Sequence, residues 1–164
     1  MTTGTTASGT YYLFNKKDKD VPIVFVHGVG LTHEIWQPQL EFFNYHSTLA
    51  YDILGHGKSS LENKEISFDD FSDQLIGLMD HLNIKKIHLV GFSIVSLIAR
   101  NFATKHNKRL QTLTLLCSIY KRTEEQQKIV NQRFEQAKRE LKLSKQALKT
   151  VSYTHLTLPT IYSE

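Results

Sequence analysis

"KIHLVGFSIVSLIARNFATKH", residues 86–106, is the stretch on which the fold turns. A short apolar run through Ile87, Leu89 and Val90 passes Gly91, Phe92 and Ser93 and enters a segment whose apolar residues keep helical spacing. That places Ser93 on a strand-to-helix turn. A nucleophilic serine on such a turn is usually flanked by glycine two residues before and two after. Gly91 supplies the first, and Val95 stands where the second would be. An ordinary helix N-cap also suits serine, because its hydroxyl satisfies a free main-chain N–H. Taken alone, the stretch admits both readings.

Working outward, "VPIVFVH" (21–27) is a nearly continuous β-branched run, as expected of a strand buried on both faces. "STLAYD" (47–52) and "LQTLTLLC" (110–117) read as further strands, and "YYLF" (11–14) as an early one. Between them lie helical patterns. Phe68, Phe71, Leu75, Leu78 and Leu82 recur at helical spacing after Ser67, with Asp69 and Asp70 in the first turn, where the helix dipole favours acids. A helix is also expected from Thr32, interrupted at Pro38. Strands alternating with helices, without hairpin turns, predict right-handed crossovers and a parallel sheet. The fold class is α/β. Residues 1–20 form an N-terminal segment, 21–120 the α/β core, and 121–150 an amphipathic helical region with Val130, Phe134, Ala137, Leu141 and Leu148 on one stripe.

Composition narrows the function classes. The chain of 164 residues is long enough for one sizeable core. Its single cysteine, Cys117, excludes an internal disulfide and is expected to be buried in the last strand. Residues 1–120 carry eleven Lys/Arg and eleven Asp/Glu, which cancel, so the basic excess behind the net charge of +4 lies in 121–150, where nine bases face four acids, with Glu164 the one charge beyond. That excess reads as a solvated helix rather than a nucleic-acid surface. The start "MTTGTTASGT" lacks the basic and apolar regions of a signal peptide, and no run is apolar enough to span a membrane. A cytoplasmic protein is expected, with no nucleic-acid or membrane partner. No G-x-G-x-x-G or P-loop occurs, and His33, His46 and His56 lack metal-ligand spacing, so no cofactor or metal is implied.

Three loops follow three of the strands: "HGVG" (27–30), "DILGHGKSS" (52–60) and "GFSIVS" (91–96). In an open parallel sheet the carboxyl ends of the strands form the ligand crevice, so these loops can converge. In that order and spacing they resemble the N-terminal half of an α/β-hydrolase fold protein, from His27 to Cys117 and into a helical cap that would begin in 121–150, in the style of 3-oxoadipate enol-lactonases and small carboxylesterases. The resemblance implies Ser93 as nucleophile and an oxyanion hole from the backbone N–H groups of Val29 and Ile94. It makes His27, Gly28, Gly30, Asp52, Gly55 and Gly91 members of supporting loops, with His27 and His56 structural. His33 and Trp36 either line a pocket or pack the first helix onto the sheet.

A serine nucleophile needs a base and a carboxylate that orients it, in this fold in the order Ser, Asp/Glu, His. After Ser93 the only histidines are His106 and His155. His106 ends the helix that Ser93 begins, nearly 20 Å away at about 1.5 Å per residue. His155 lies in "VSYTHLTLPTIYSE" (151–164), whose first ten residues back-translate to a sequence resembling the adapter of transposon-based sequencing libraries. Native sequence is therefore expected to stop near Lys149 or Thr150, in the manner of a gene fragment, although "YTHLTLP" would also serve as a β-tail. The reading is a fragment of a serine hydrolase that cleaves a small ester or lactone through an acyl-enzyme, itself inactive. The alternative, motivated by Val95, is a non-catalytic relative that binds a ligand or partner.

Overall fold

Ile23, Val24 and Val26 suit an extended, doubly covered strand, and they build the centre of the sheet. A computed structural model describes residues 1–17, 20–61, 66–93, 96–118 and 123–140, with the backbone alone at Ser96 and 133–140. Its four parallel strands are β3 (Ile23–Val26), β4 (Thr48–Tyr51), β5 (Ile87–Phe92) and β6 (Leu110–Leu116). β2 (Tyr11–Asn15) adds antiparallel to β4, and β1 (Thr2–Thr5) adds antiparallel to β2, giving the order β1-β2-β4-β3-β5-β6. The parallel heart is the one expected. β1 carries no apolar alternation in the sequence and pairs through its main chain along β2.

Register positions the site. Val26 lies opposite Tyr51 on β4 and Gly91 on β5. The residues that follow each strand, His27, Asp52 and Ser93, therefore emerge at the same edge.

The sheet's two faces are covered unequally. α2 (Phe68–His81) and α3 (Ser96–Lys105) lie on one face, where Val24, Val26, Leu49 and Leu89 join Phe71, Leu75, Leu97 and Phe102 in the main core. Phe25 and Ala50 point to the other face and pack with Trp36 and Leu40. Those two belong to a 3-10 turn (His33–Trp36) and to α1 (Gln37–Phe42). Pro38 does not interrupt this helix. It occupies the first turn of α1, where its missing N–H is not needed. Beside α1, an open groove of about 670 Å³ runs over β3, β5 and β6, lined by Phe25, Trp36, Val90 and Leu116 among others.

Cys117 is exposed, contrary to the burial expected from its apolar neighbours. Among the described residues β6 is the edge strand, with Leu116 39% exposed, and Cys117 follows it in a bend with φ of 53°. α4 (Glu124–Glu140) begins with a reciprocal cap. Thr123 Oγ1 accepts from the Gln126 N–H, and Gln126 Oε1 accepts from the Thr123 N–H. Ile129 on this helix is 42% exposed. Residues 141–150 and the tail 151–164 lie outside the described residues. No helix among the described residues is long and apolar enough to cross a membrane.

Candidate active site at the carboxyl ends of the parallel strands

Ser93 has φ of 62°, in the left-handed region that L side chains avoid. Ser67, which caps α2, offers the internal contrast. Its backbone is extended (φ −118°, ψ 169°), and it shares a reciprocal capping box with Asp70. The two serines thus stand at helix starts in different conformations, and only the second has the extended geometry usual for an N-cap. Ser93 is half-buried, directly after β5, and Gly91 two residues earlier is buried within the strand. Ile94 and Val95 lie outside the described residues.

The loop after β3 closes on this turn. A Cβ built on Gly28 would stand 3.3 Å from Phe92 Cδ1 and 3.5 Å from Ser93 Cβ, so glycine allows a close main-chain approach. The Leu31 N–H donates to the Gly28 carbonyl at 3.2 Å, and Gly30 takes φ of 77°, making a tight turn of 28–31. Val29 sits half-buried within that turn. Its N–H donates to no protein acceptor among the described residues.

His27 is fully buried and committed at both nitrogens. Nδ1–H donates to the Gly28 carbonyl at 2.8 Å, and Nε2 accepts the Ile53 N–H at 3.1 Å. The ring is therefore neutral, and burial is the main cause that lowers its pKa to about 4. It has no free nitrogen with which to take a proton. His56 packs 5.6 Å from it and donates Nδ1–H to the Leu54 carbonyl, and burial lowers its pKa as well.

A stability consequence follows from His27. Its folded pKa lies below the unfolded value, so the neutral form contributes fully above about pH 6.5. That contribution declines as pH falls toward about 4. The shift corresponds to roughly 3 kcal/mol. Urea unfolding midpoints at pH 7 and pH 4.5 are expected to differ accordingly, and His27→Gln to flatten much of the difference.

Asp52 is buried at the end of β4 and ties loops together. Oδ1 accepts the His33 main-chain N–H and His33 Nδ1–H, each at 2.8 Å, and Oδ2 accepts the Lys58 N–H at 2.9 Å. Burial works to raise its pKa, but these hydrogen bonds and the neighbouring His33 outweigh it and hold the carboxyl below its ordinary value. Its carbonyl accepts from Ser59 Oγ at 2.6 Å and Gln74 Nε2 at 3.1 Å. Gly57, with φ of 51°, presses so close that a Cβ there would run into the carboxylate. Gly55 also has positive φ, 72°, in the same loop.

The structure thus brings Gly28, followed by Val29, against Ser93 and ties His27 and Asp52 into the adjoining loops, with Gly55 in the loop that follows Asp52. His33, left open between pocket and packing, is a buried partner of Asp52. Gln74 was not foreseen, yet a signal existed. It shares the apolar face of α2 with Phe71, Leu75 and Leu78, and a polar residue there must find partners. Those partners are Thr10, Asp52 and the Leu54 N–H. Among the described residues no His, Cys, Asp or Glu cluster is arranged to hold a metal.

The fold that carries this edge has known counterparts. A family model described as the alpha/beta hydrolase fold matches residues 21–157. The chain belongs to the α/β-hydrolase fold family. Among curated α/β-hydrolase relatives, it is 34% identical over 118 residues to an (E)-2-((N-methylformamido)methylene)succinate hydrolase of Acinetobacter baylyi, covering 71% of this chain and 45% of that protein. It is 31% identical to a 3-oxoadipate enol-lactonase of the same organism, covering 60% of this chain and 37% of that protein. A solved thermophilic esterase from Thermogutta terrifontis aligns with a TM-score of 0.67 at 27% identity, over 84% of this chain and 52% of that one. The chain spans less than half the length of these two curated α/β hydrolases.

Proposed function

We propose that this chain is part of a serine hydrolase that cleaves a small carboxylic ester or lactone through an acyl-enzyme. The observation that carries the reading is the positive φ of Ser93 at the end of β5. A left-handed serine costs about 1–3 kcal/mol and persists where its surroundings enforce it, commonly at active sites. An N-cap needs no such strain, as Ser67 illustrates. In this proposal Ser93 Oγ attacks the substrate carbonyl. The resulting oxyanion is held by the Val29 N–H, which has no acceptor among the described residues, and by the Ile94 N–H from outside them.

The general base and its carboxylate belong to chain beyond the described residues. His27 is committed at both nitrogens, and His33 points Nδ1–H into Asp52. His106 ends the helix that Ser93 begins and His155 stands in the adapter-like tail, so the 164-residue chain by itself is proposed to be inactive. The hydrolases, lactonase and esterase it resembles favour small-molecule substrates. The test is steady-state hydrolysis of short-chain esters and simple lactones by the full-length protein. Turnover of either class supports the reading. Binding without turnover would replace it with a non-catalytic relative, and turnover by the 164-residue chain alone would overturn the placement of base and acid.

A further inference from the structure

We propose that His33 is a positioning residue, a side-chain clamp that holds the Gly28–Leu31 turn, and with it the Val29 N–H, in place against the Ser93 turn. The catalytic consequence rests on the nucleophile reading above; the clamp itself does not.

His33 stands where the loop after β3 becomes the 3-10 turn before α1. Any residue at this position would present a main-chain N–H to Asp52. The imidazole adds a second donor to the same oxygen, with both contacts at 2.8 Å. Hydrogen bonds to an ionised carboxylate are about twice as strong as neutral ones. Asp52 is itself immobilised. Its N–H donates to the Tyr11 carbonyl at 3.1 Å, its Oδ2 takes the Lys58 N–H, and its carbonyl takes Ser59 and Gln74. The His33 ring is buried and lies 5.1 Å from the Tyr11 ring, so it has little room to turn away.

The other end of the loop is fixed by His27, whose Nε2 takes the Ile53 N–H from the chain that follows β4. Two histidines, 27 and 33, thus pin both ends of one loop to the β4 end. Between the pins the turn has one internal main-chain bond, Leu31 N–H to the Gly28 carbonyl at 3.2 Å. Gly28 and Gly30 leave that segment intrinsically mobile, because glycine restricts the chain least. The precision of the Val29 N–H therefore has to come from the pins.

Backbone ¹⁵N relaxation of the protein, of His33→Asn and of His33→Ala tests this. Asparagine can offer an amide N–H near the position of Nδ1; alanine offers none. Order parameters at Val29 and Gly30 are expected near the rigid value of about 0.85 in the parent and the asparagine variant, and below about 0.6 in the alanine variant. Unchanged values in His33→Ala, or equal losses in both variants, would overturn the clamp. Amide protection at Phe71 and Leu89 reports whether each variant keeps its core. A long-range ¹H–¹⁵N spectrum of the unsubstituted protein covers the case in which alanine prevents folding. It should show a protonated Nδ1 on His33, and a bare Nδ1 overturns the proposal. In an active full-length protein, His33→Ala should lower kcat at least tenfold with KM within about twofold, and asparagine should restore most of it. Loss of that kinetic effect with the relaxation result intact would count against the nucleophile reading and leave the clamp standing.

Discussion

Ser93→Ala in a full-length, active form of the protein is expected to lower kcat for ester hydrolysis by roughly 10⁶-fold, the scale seen when a serine hydrolase loses its nucleophile. KM should change little, because the hydroxyl contributes to bond-making more than to ground-state binding. A fall of less than tenfold would remove Ser93 from the mechanism. The same position makes an opposite prediction for stability. Its φ of 62° suits glycine, so Ser93→Gly is expected to raise stability by about 1 kcal/mol while abolishing turnover. Ser67→Ala, at a capping serine in extended conformation, should instead cost about 1 kcal/mol. Urea unfolding of the two variants separates a strained turn from a cap by the sign of the change.

Asp52→Ala is expected to destabilise the protein by about 3–5 kcal/mol, the penalty for breaking a buried charged network. Three donors lose their acceptor at once: the His33 N–H, His33 Nδ1–H and the Lys58 N–H. Each buried unsatisfied group costs about 1–3 kcal/mol. Asp52→Asn keeps the shape and one acceptor oxygen but turns an amide N–H toward one of the donors, so a loss of about 2 kcal/mol is expected. Denaturant midpoints measure both. A cost below about 1 kcal/mol for alanine would mean that Asp52 does not hold the two loops together.

The parallel heart of the sheet was legible because its strands are apolar and its helices amphipathic. Ile23–Val26, Ile87–Phe92 and the Phe71/Leu75/Leu78 face of α2 each declare their environment by pattern. The three loops were legible for the same reason, since each follows one of these strands. What the pattern could not carry was partner choice. Nothing in the sequence pairs His33 with Asp52, nineteen positions apart, because the contact depends on how two loops meet across adjacent strands. Cys117 was misread because burial of an edge strand depends on what lies beyond it, and no local pattern records that. Pro38 shows a third limit. A proline opening a helix and a proline breaking one differ by only a few residues of context.

Covalent labelling tests the central claim most directly. The full-length protein, treated with a fluorophosphonate, should gain one adduct, and peptide mass spectrometry should place it on Ser93. The Ser93→Ala variant should gain none. An adduct on any other residue, or no adduct on a protein that hydrolyses esters, would contradict the assignment of Ser93 as nucleophile.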